Sequence, residues 1–315
     1  MSKVTTYSEK VRQSYDPTHT MTLRSMYSQD MKRRFNELVS AIKKGVAVND
    51  CFVLKKLGTY QLDIPNPGQF DFARSQDKLN AFMEWLQRQV DRGILTVKDL
   101  QQIGTSVEAM WQNKYLSDSY KRGVMRARME MAHLGMAIPS IEESGGIDMV
   151  MMLPFHIDRL GLIYTRAYNE LKGITDAMDS AISRILAQGI ADGDGPALLA
   201  RKLVATINGE GIGDLGLTDA LGRYISPINR ATILARTEMI RAHHVATIQE
   251  YRNWGILNIK VLAEWKTAGD GRVCEHCAHM EGKIFTLDEI EGMIPAHPQC
   301  RCLALPYIEE LKKYE

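Results

Sequence analysis

Two short stretches near the C-terminal end hold four of the chain's five cysteines: Cys274-Glu275-His276-Cys277, and His297-Pro298-Gln299-Cys300-Arg301-Cys302. Thiolate and imidazole are the donors that zinc takes in tetrahedral sites, and a two-residue gap lets both ends of a tight turn face one ion. Cys274 with Cys277, and His297 with Cys300, share that gap and together make a closed set of four. Cys302 is a fifth candidate. In an extended stretch residues 300 and 302 share a face, so the spacing leaves open whether Cys302 replaces Cys300. His276 and His279 stand inside and just after the first turn, and are expected to be exposed. Four protein ligands leave no open position, so the expected zinc is structural, anchoring a small sheet with little core of its own.

Two disulfides or a redox-active C-x-x-C are the competing readings. Secreted disulfide frameworks use even, dispersed cysteines, whereas here the odd one out is the remote Cys51, read as a small buried hydrophobe. A thioredoxin-type centre needs a βαβ setting, which the pattern lacks. Metal binding in a reducing compartment is the expectation. The stretch from Gly209 to Gly216 contains a formal G-x-G-x-x-G. It is rejected as a dinucleotide loop because a helix, not a strand, leads into it.

The elements that must position these ligands follow from periodicity and punctuation. Residues 1–20 are polar and aperiodic, and are expected to form a flexible arm. Leu23, Met26, Tyr27, Met31, Phe35, Leu38, Val39 and Ile42 then recur at three- and four-residue steps, which predicts an amphipathic helix. Ser75 or Asp77 should cap a helix that Gly93 ends, Thr96 should cap another, and a longer helix should run from about 106 to about 131. Residues 139–153 read as a loop and an internal boundary. Two helices are expected at 156–171 and 175–188, one opened by Pro196, and one from Ser226-Pro227 to Asn253 with Gly255 as its stop. Alternation predicts short strands at 259–265, 283–286 and 302–307, with a charged helical tail at 308–314. The expected fold is mainly α with a small C-terminal α+β module, long helices followed by a short antiparallel sheet stabilised by the Cys/His zinc site. Its division is an arm at 1–20, a mostly helical region at 21–150, a second helical region at 151–255 and the zinc-binding module at 256–315.

Composition narrows the function classes. Lysine and arginine total 39 against 38 acidic residues, so no strong global field exists and any nucleic-acid contact must be local. Lys32, Arg33, Arg34, Lys43 and Lys44 on the first helix are candidate phosphate contacts, as are Lys121 and Arg122 on a second basic face with Lys114, Arg126 and Arg128. A solvated helical face is the default reading of both. The 17 methionines suit irregular core packing. The first residues lack the apolar stretch of a signal peptide, and the run from Met149 to Leu153 is too short to span a bilayer, so synthesis in cytosol is expected.

Four motifs occur in a fixed order: Arg236-Thr237-Glu238 within a helix, then Trp265-x-Thr267-x-x-Asp270-x-Arg272-Val273-Cys274-x-x-Cys277, then Gly282-Lys283-x-Phe285, then His297-Pro298-x-Cys300-Arg301-Cys302. This series, covering roughly the last third of the chain, resembles the phage Mu F-like minor head proteins, the phage head morphogenesis family. The resemblance implies a low-copy virion protein at the head interior or portal vertex, made in the host cytoplasm. It implies the portal protein and the major capsid or scaffolding protein as partners, packaged DNA as a further contact, and no catalytic activity. The alternative is a metal-dependent nuclease, or an ADP-ribosyl or nucleotidyl transferase, acting in packaging or after injection. A nuclease needs an open metal with oxygen ligands, against which a cysteine-rich closed set argues. Arg236 and Glu238 lie two positions apart on a helix and point in different directions. Structural roles are expected for them, bonding to the zinc-bearing sheet or across to Asp270 and Arg272. Of His243 and His244, one is expected to be exposed and one packed.

Overall fold

The computed structural model describes residues 16–54, 68–95, 110–209, 225–255 and 261–308. The bulk of the expected arm, the helix capped by Thr96, the rest of the glycine loop after Gly209 and the charged tail lie outside the described residues. The elements in order are α1 (Met21–Ile42), continued as a π-helical turn (Lys43–Val48), α2 (Ser75–Val90), continued likewise (Asp91–Leu95), α3 (Asn113–His133) and α4 (Ile147–Met151). They go on with α5 (Pro154–Ala191), α6 (Pro196–Asn208), α7 (Pro227–Trp254), β1 (Val261–Lys266), α8 (Glu275–Met280), β2 (Ile284–Phe285), α9 (Leu287–Ile290) and β3 (Leu303–Ile308). The fold is mainly helical with a three-stranded antiparallel sheet in the order β2-β1-β3. No helix among the described residues is long and apolar enough to cross a membrane.

Helix starts follow local chemistry. The Asp16 carboxylate accepts the Met21 N–H at 2.6 Å, which holds residues 16–20 as a turn at the head of α1. Pro196 opens α6 and Gly209, at φ 79°, closes it in the left-handed conformation that glycine tolerates. Several expectations change. The stretch 139–153, expected to be a loop, contains α4, and α2 starts after Arg74 with no side-chain cap from Ser75 or Asp77. The helices predicted at 156–171 and 175–188 are one 38-residue helix, α5. Gly173 sits in open space and costs only about 1 kcal/mol of backbone entropy, while Leu171, Ile174 and Met178 keep the buried stripe in phase across it. Gly93 does not end α2 but lies within its π-helical continuation, where Ile94 and Leu95 are buried.

The chain divides into two compact units. One gathers Ser28–Ser106 with Tyr168–Thr232. In it α6 packs on the Lys43–Val48 turn, and Phe52, Phe70, Phe82 and Trp85 form an aromatic cluster with ring centroids 5.3 to 6.2 Å apart. The other gathers Met1–Tyr27, Val107–Ala167 and Ile233–Glu315, and holds the sheet. There α3 and α7 come unusually close. A Cβ on Gly123 would stand 2.4 Å from the His243 carbonyl oxygen, and Ser119 Oγ donates to the Met239 carbonyl at 2.7 Å. The sheet covers this helix pair. Trp265 of β1 is fully buried, in one core with Ala127 and Met131 of α3, Ile248 and Tyr251 of α7, and three of the cysteines, Cys277, Cys300 and Cys302. The small sheet therefore borrows its core from the long helices.

Candidate metal centre

The first donor pair is set by a helix start. Cys274 is the N-cap of α8, and its sulfur accepts the Cys277 N–H at 3.4 Å, so both sulfurs face the same side of the turn. The second pair is set by a reverse turn. The Cys300 N–H donates to the His297 carbonyl at 3.1 Å around Pro298 and Gln299, the latter at φ 63°. Proline followed by a residue of positive φ is the signature of a type II turn. A glutamine there is held from outside, since its N–H donates to Thr237 Oγ1 at 3.0 Å and its side-chain oxygen accepts Arg236 Nη1 at 2.9 Å. These contacts assign roles to two of the motif residues on α7.

Donor atoms converge in two overlapping trios, Cys274-Cys277-His297 and Cys277-Cys300-Cys302, each with all atoms within 4.8 Å of one another. His297 Nε2 lies 3.3 Å from Cys274 Sγ and 3.2 Å from Cys277 Sγ. Its Nδ1 donates to the Pro298 carbonyl at 2.9 Å, which leaves Nε2 as the free electron pair facing the thiols. Cys277 Sγ and Cys300 Sγ are 4.0 Å apart. A tetrahedral zinc with bonds of about 2.3 Å sets its sulfurs about 3.8 Å apart, whereas a disulfide requires about 2.05 Å. The donor set and its spacing fit a thiophilic metal. Burial and the neighbouring Cys300 push the Cys277 thiol up to about 12. Cys300 is held near 5 by the thiol proton it accepts from Cys302, whose own affinity for that proton rises in turn. His276 and His279 are exposed and stand apart from both trios.

The remaining motif residues brace this centre. Asp270 takes both terminal nitrogens of Arg301, at 2.8 and 2.5 Å, together with the side chain and backbone N–H of Arg272. These bonds, Arg301's first, hold its carboxyl well below the usual carboxylate range. Thr267 N–H donates to Glu281 at 2.6 Å, tying the end of β1 to the residue that follows α8. Glu238 departs from expectation. It bonds neither to the sheet nor to Asp270 and Arg272, but receives Arg241 at 3.2 Å and Arg166 at 3.4 Å. His243 and His244 are both buried, and burial drives both towards the neutral form, His244 to about 4. His244 Nε2 donates to the Ile290 carbonyl at 2.9 Å. The pair belongs to the packing.

The candidate phosphate contacts are spread differently. Lys32, Lys43 and Lys44 are exposed, Arg33 is flanked by Asp30 and Glu37, and Arg34 donates to the Gly93 carbonyl at 2.5 Å. Lys121 pairs with Asp148 at 2.8 Å and Arg122 donates to the His19 carbonyl. Arg126 and Arg128, expected on that same basic face, are buried instead, paired with Glu130 and Glu250. Glu250 also accepts His156 Nε2 at 2.9 Å, and His156 Nδ1 lies 2.9 Å from the Tyr120 hydroxyl. This Tyr-His-Glu chain is sealed from solvent and serves as a buried polar clasp. Its members come from positions 120, 156 and 250, too far apart for any local pattern to mark them.

Residues 180–305 match the model of the family described as Phage Mu protein F like protein. The match takes in all five donors and every motif residue from Arg236 to Cys302. No curated protein and no solved structure matches the chain.

Proposed function

We propose, from the match of residues 180–305 to the Phage Mu F-like family model, that this chain is a minor structural protein of a phage head, and that zinc locks its C-terminal module. That family match carries the reading. The convergence of thiol and imidazole donors inside the family segment supports the zinc. Cys274, Cys277 and His297 would hold it with Cys300 as the fourth ligand, while Cys302 donates a hydrogen bond to the Cys300 sulfur. Bound there, the metal supplies a cross-link between the α8 turn and the Pro298 turn. The thiol-rich donors favour zinc over magnesium or calcium, which seek oxygen ligands. The head interior near the portal vertex is the proposed position, with portal, major capsid or scaffolding protein as partners. Contact with packaged DNA through local basic groups fits a protein whose net charge is +1. The role is architectural rather than catalytic.

Purified virions and the recombinant chain test this together. Mass spectrometry should find the protein in virions at low copy, and elemental analysis should give about one zinc per chain. Normal heads assembled by a phage lacking the gene would sink the head-assembly role, and a chain purified without chelators that carries no metal would sink the zinc.

A further inference from the structure

Within the unit that holds the sheet, the start of α5 is apolar on both faces. Leu160, Ile163, Tyr164 and Ala167 are buried, yet Ile157 and Leu162 face solvent, as do Met149 of α4 and the next residues, Met152 and Leu153. We propose that this outer surface docks a basic amphipathic helix of a partner protein. The metal centre takes no part in it, and the proposal does not rest on the head role.

Apolar continuity is the first argument. Met149, Met152 and Leu153 stand at i, i+3 and i+4, and Leu153, Ile157 and Gly161 follow at four-residue steps, the spacings that share a helical face. The Leu153 N–H donates to the Val150 carbonyl and the Ile157 N–H to the Leu153 carbonyl, both at 3.2 Å, so helical bonding carries the face from α4 into α5. Met149, Met152 and Leu162 leave 62%, 69% and 71% of their surface in water, and Gly161 has open space where a side chain would stand. Elsewhere among the described residues the exposed large apolar side chains come in ones and twos along the chain. A continuous apolar surface with a polar rim marks a protein contact, and unbranched methionines adapt to a helix laid across them.

Charge is the second argument, and it selects the occupant. Glu142 and Asp158 are exposed and have no side-chain partner among the described residues, and Glu143 accepts only the backbone N–H of Ser140. The loop that carries Glu142 and Glu143 lies against the apolar face, since a Cβ on Gly145 would stand 3.3 Å from Met149 Cγ. Of the bases on this stretch and against it, Lys121 is held by Asp148, Arg159 by Gln249 and Glu291, and Arg166 by Glu238. Three uncompensated carboxylates beside an apolar stripe complement lysines or arginines that flank the apolar face of a helix. The same acids repel phosphate, whether of DNA or of an anionic membrane. A second copy seated here about a two-fold axis would bring carboxylate against carboxylate.

Fluorescence anisotropy of a labelled synthetic helix of about four turns, with leucine along one face and lysine on its flanks, tests this with the full-length chain. The lysine helix should bind, and a counterpart with glutamate at every lysine position should bind at least about tenfold more weakly. Met152→Ser/Leu162→Ser and, separately, Asp158→Lys should each weaken binding of the lysine helix by at least about fivefold. All three side chains are exposed, so both variants should melt with the native chain. Should the double variant melt lower, Asp158→Lys alone carries the test. Equal binding of the two helices, no binding of the lysine helix, or affinity unchanged in the variants overturns the proposal. So does a native chain that sediments as a dimer while the double variant is monomeric, which makes a second copy the occupant. Binding to phosphatidylglycerol vesicles that the double variant loses overturns it in favour of a membrane surface.

Discussion

Cys277 is the donor common to both trios, which makes it the pivot of the cluster and turns the choice of fourth ligand into a choice between Cys300 and Cys302. Geometry separates them. Cys300 closes the Pro298 turn that begins at His297, and its sulfur lies 4.0 Å from that of Cys277. A serine at 302 keeps a donor in reach of that sulfur, whereas a serine at 300 removes the sulfur itself. Cys302→Ser should therefore retain about one zinc per chain, with a modest rise in the rate of metal loss to a chromophoric chelator. Cys300→Ser should be purified largely metal-free. The opposite pattern would give the fourth position to Cys302. The sequence already placed these donors together, because each pair spans a turn of four residues. It gave no sign that Thr237, by accepting the Gln299 N–H, steadies the positive-φ turn between two of them from 62 residues away.

At the scale of elements, the close passage of α3 and α7 rests on one missing side chain. Gly123→Ala would place a Cβ 2.4 Å from a backbone oxygen and 2.8 Å from Ala246 Cβ, neither of which can swing aside. It should cost about 2–3 kcal/mol despite the gain in helix propensity. Gly173→Ala in α5, with nothing within 4 Å, should instead raise stability by about 0.5–1 kcal/mol. Chemical denaturation of the two variants reads the contrast, and equal effects would remove the packing argument. A charge test belongs to α5 as well. Burial, with Asp176 and Asp91 nearby, lifts the Asp179 carboxyl to about 7 from an ordinary 3.8. A raised folded value means that its contribution is present at pH 4 and lost as pH rises towards 7. Asp179→Asn should thus melt higher than the native chain at pH 8, by roughly 1–2 kcal/mol after allowing for its residual exposure. That gap should close near pH 4. Helix ends such as Pro196 and Gly209 were legible, being local signals. The burial of Arg126 and Arg128 was not. The carboxylate that neutralises Arg128 belongs to Glu250, 122 residues on, and a helical pattern cannot show which charges a distant partner will cover.

For the molecule as a whole, the same distinction decides what could be read in advance. The metal cluster is assembled from two local turns and stands out in the sequence. The arginines at positions 24, 236, 272 and 301 come to line one cavity only once the fold brings them together. The division into two units adds a consequence for stability. All five clustered donors lie in the unit holding the sheet, and three of the sulfurs belong to a core shared with α3 and α7. The unit formed by Ser28–Ser106 and Tyr168–Thr232 has no cysteine or histidine cluster among its described residues, and relies on its aromatic and aliphatic core. Stripping the metal should therefore act unevenly. Three cysteines and a histidine that lose a common ion leave a small sheet whose remaining hold is its contact with the helix pair, so its opening free energy should fall. Hydrogen exchange measured by mass spectrometry after chelation should show faster exchange across β1, α8 and β3. It should also accelerate along the α7 turns that carry Thr237 and Tyr251, with α2 and α6 close to their original rates. Zinc added back at equal concentration should restore the protection, and magnesium should not. Uniform acceleration through both units would mean that the chain unfolds as one cooperative body and that the metal supports all of it. Unchanged exchange in the sheet would mean that the borrowed core alone is sufficient, and that the donors serve something other than stability.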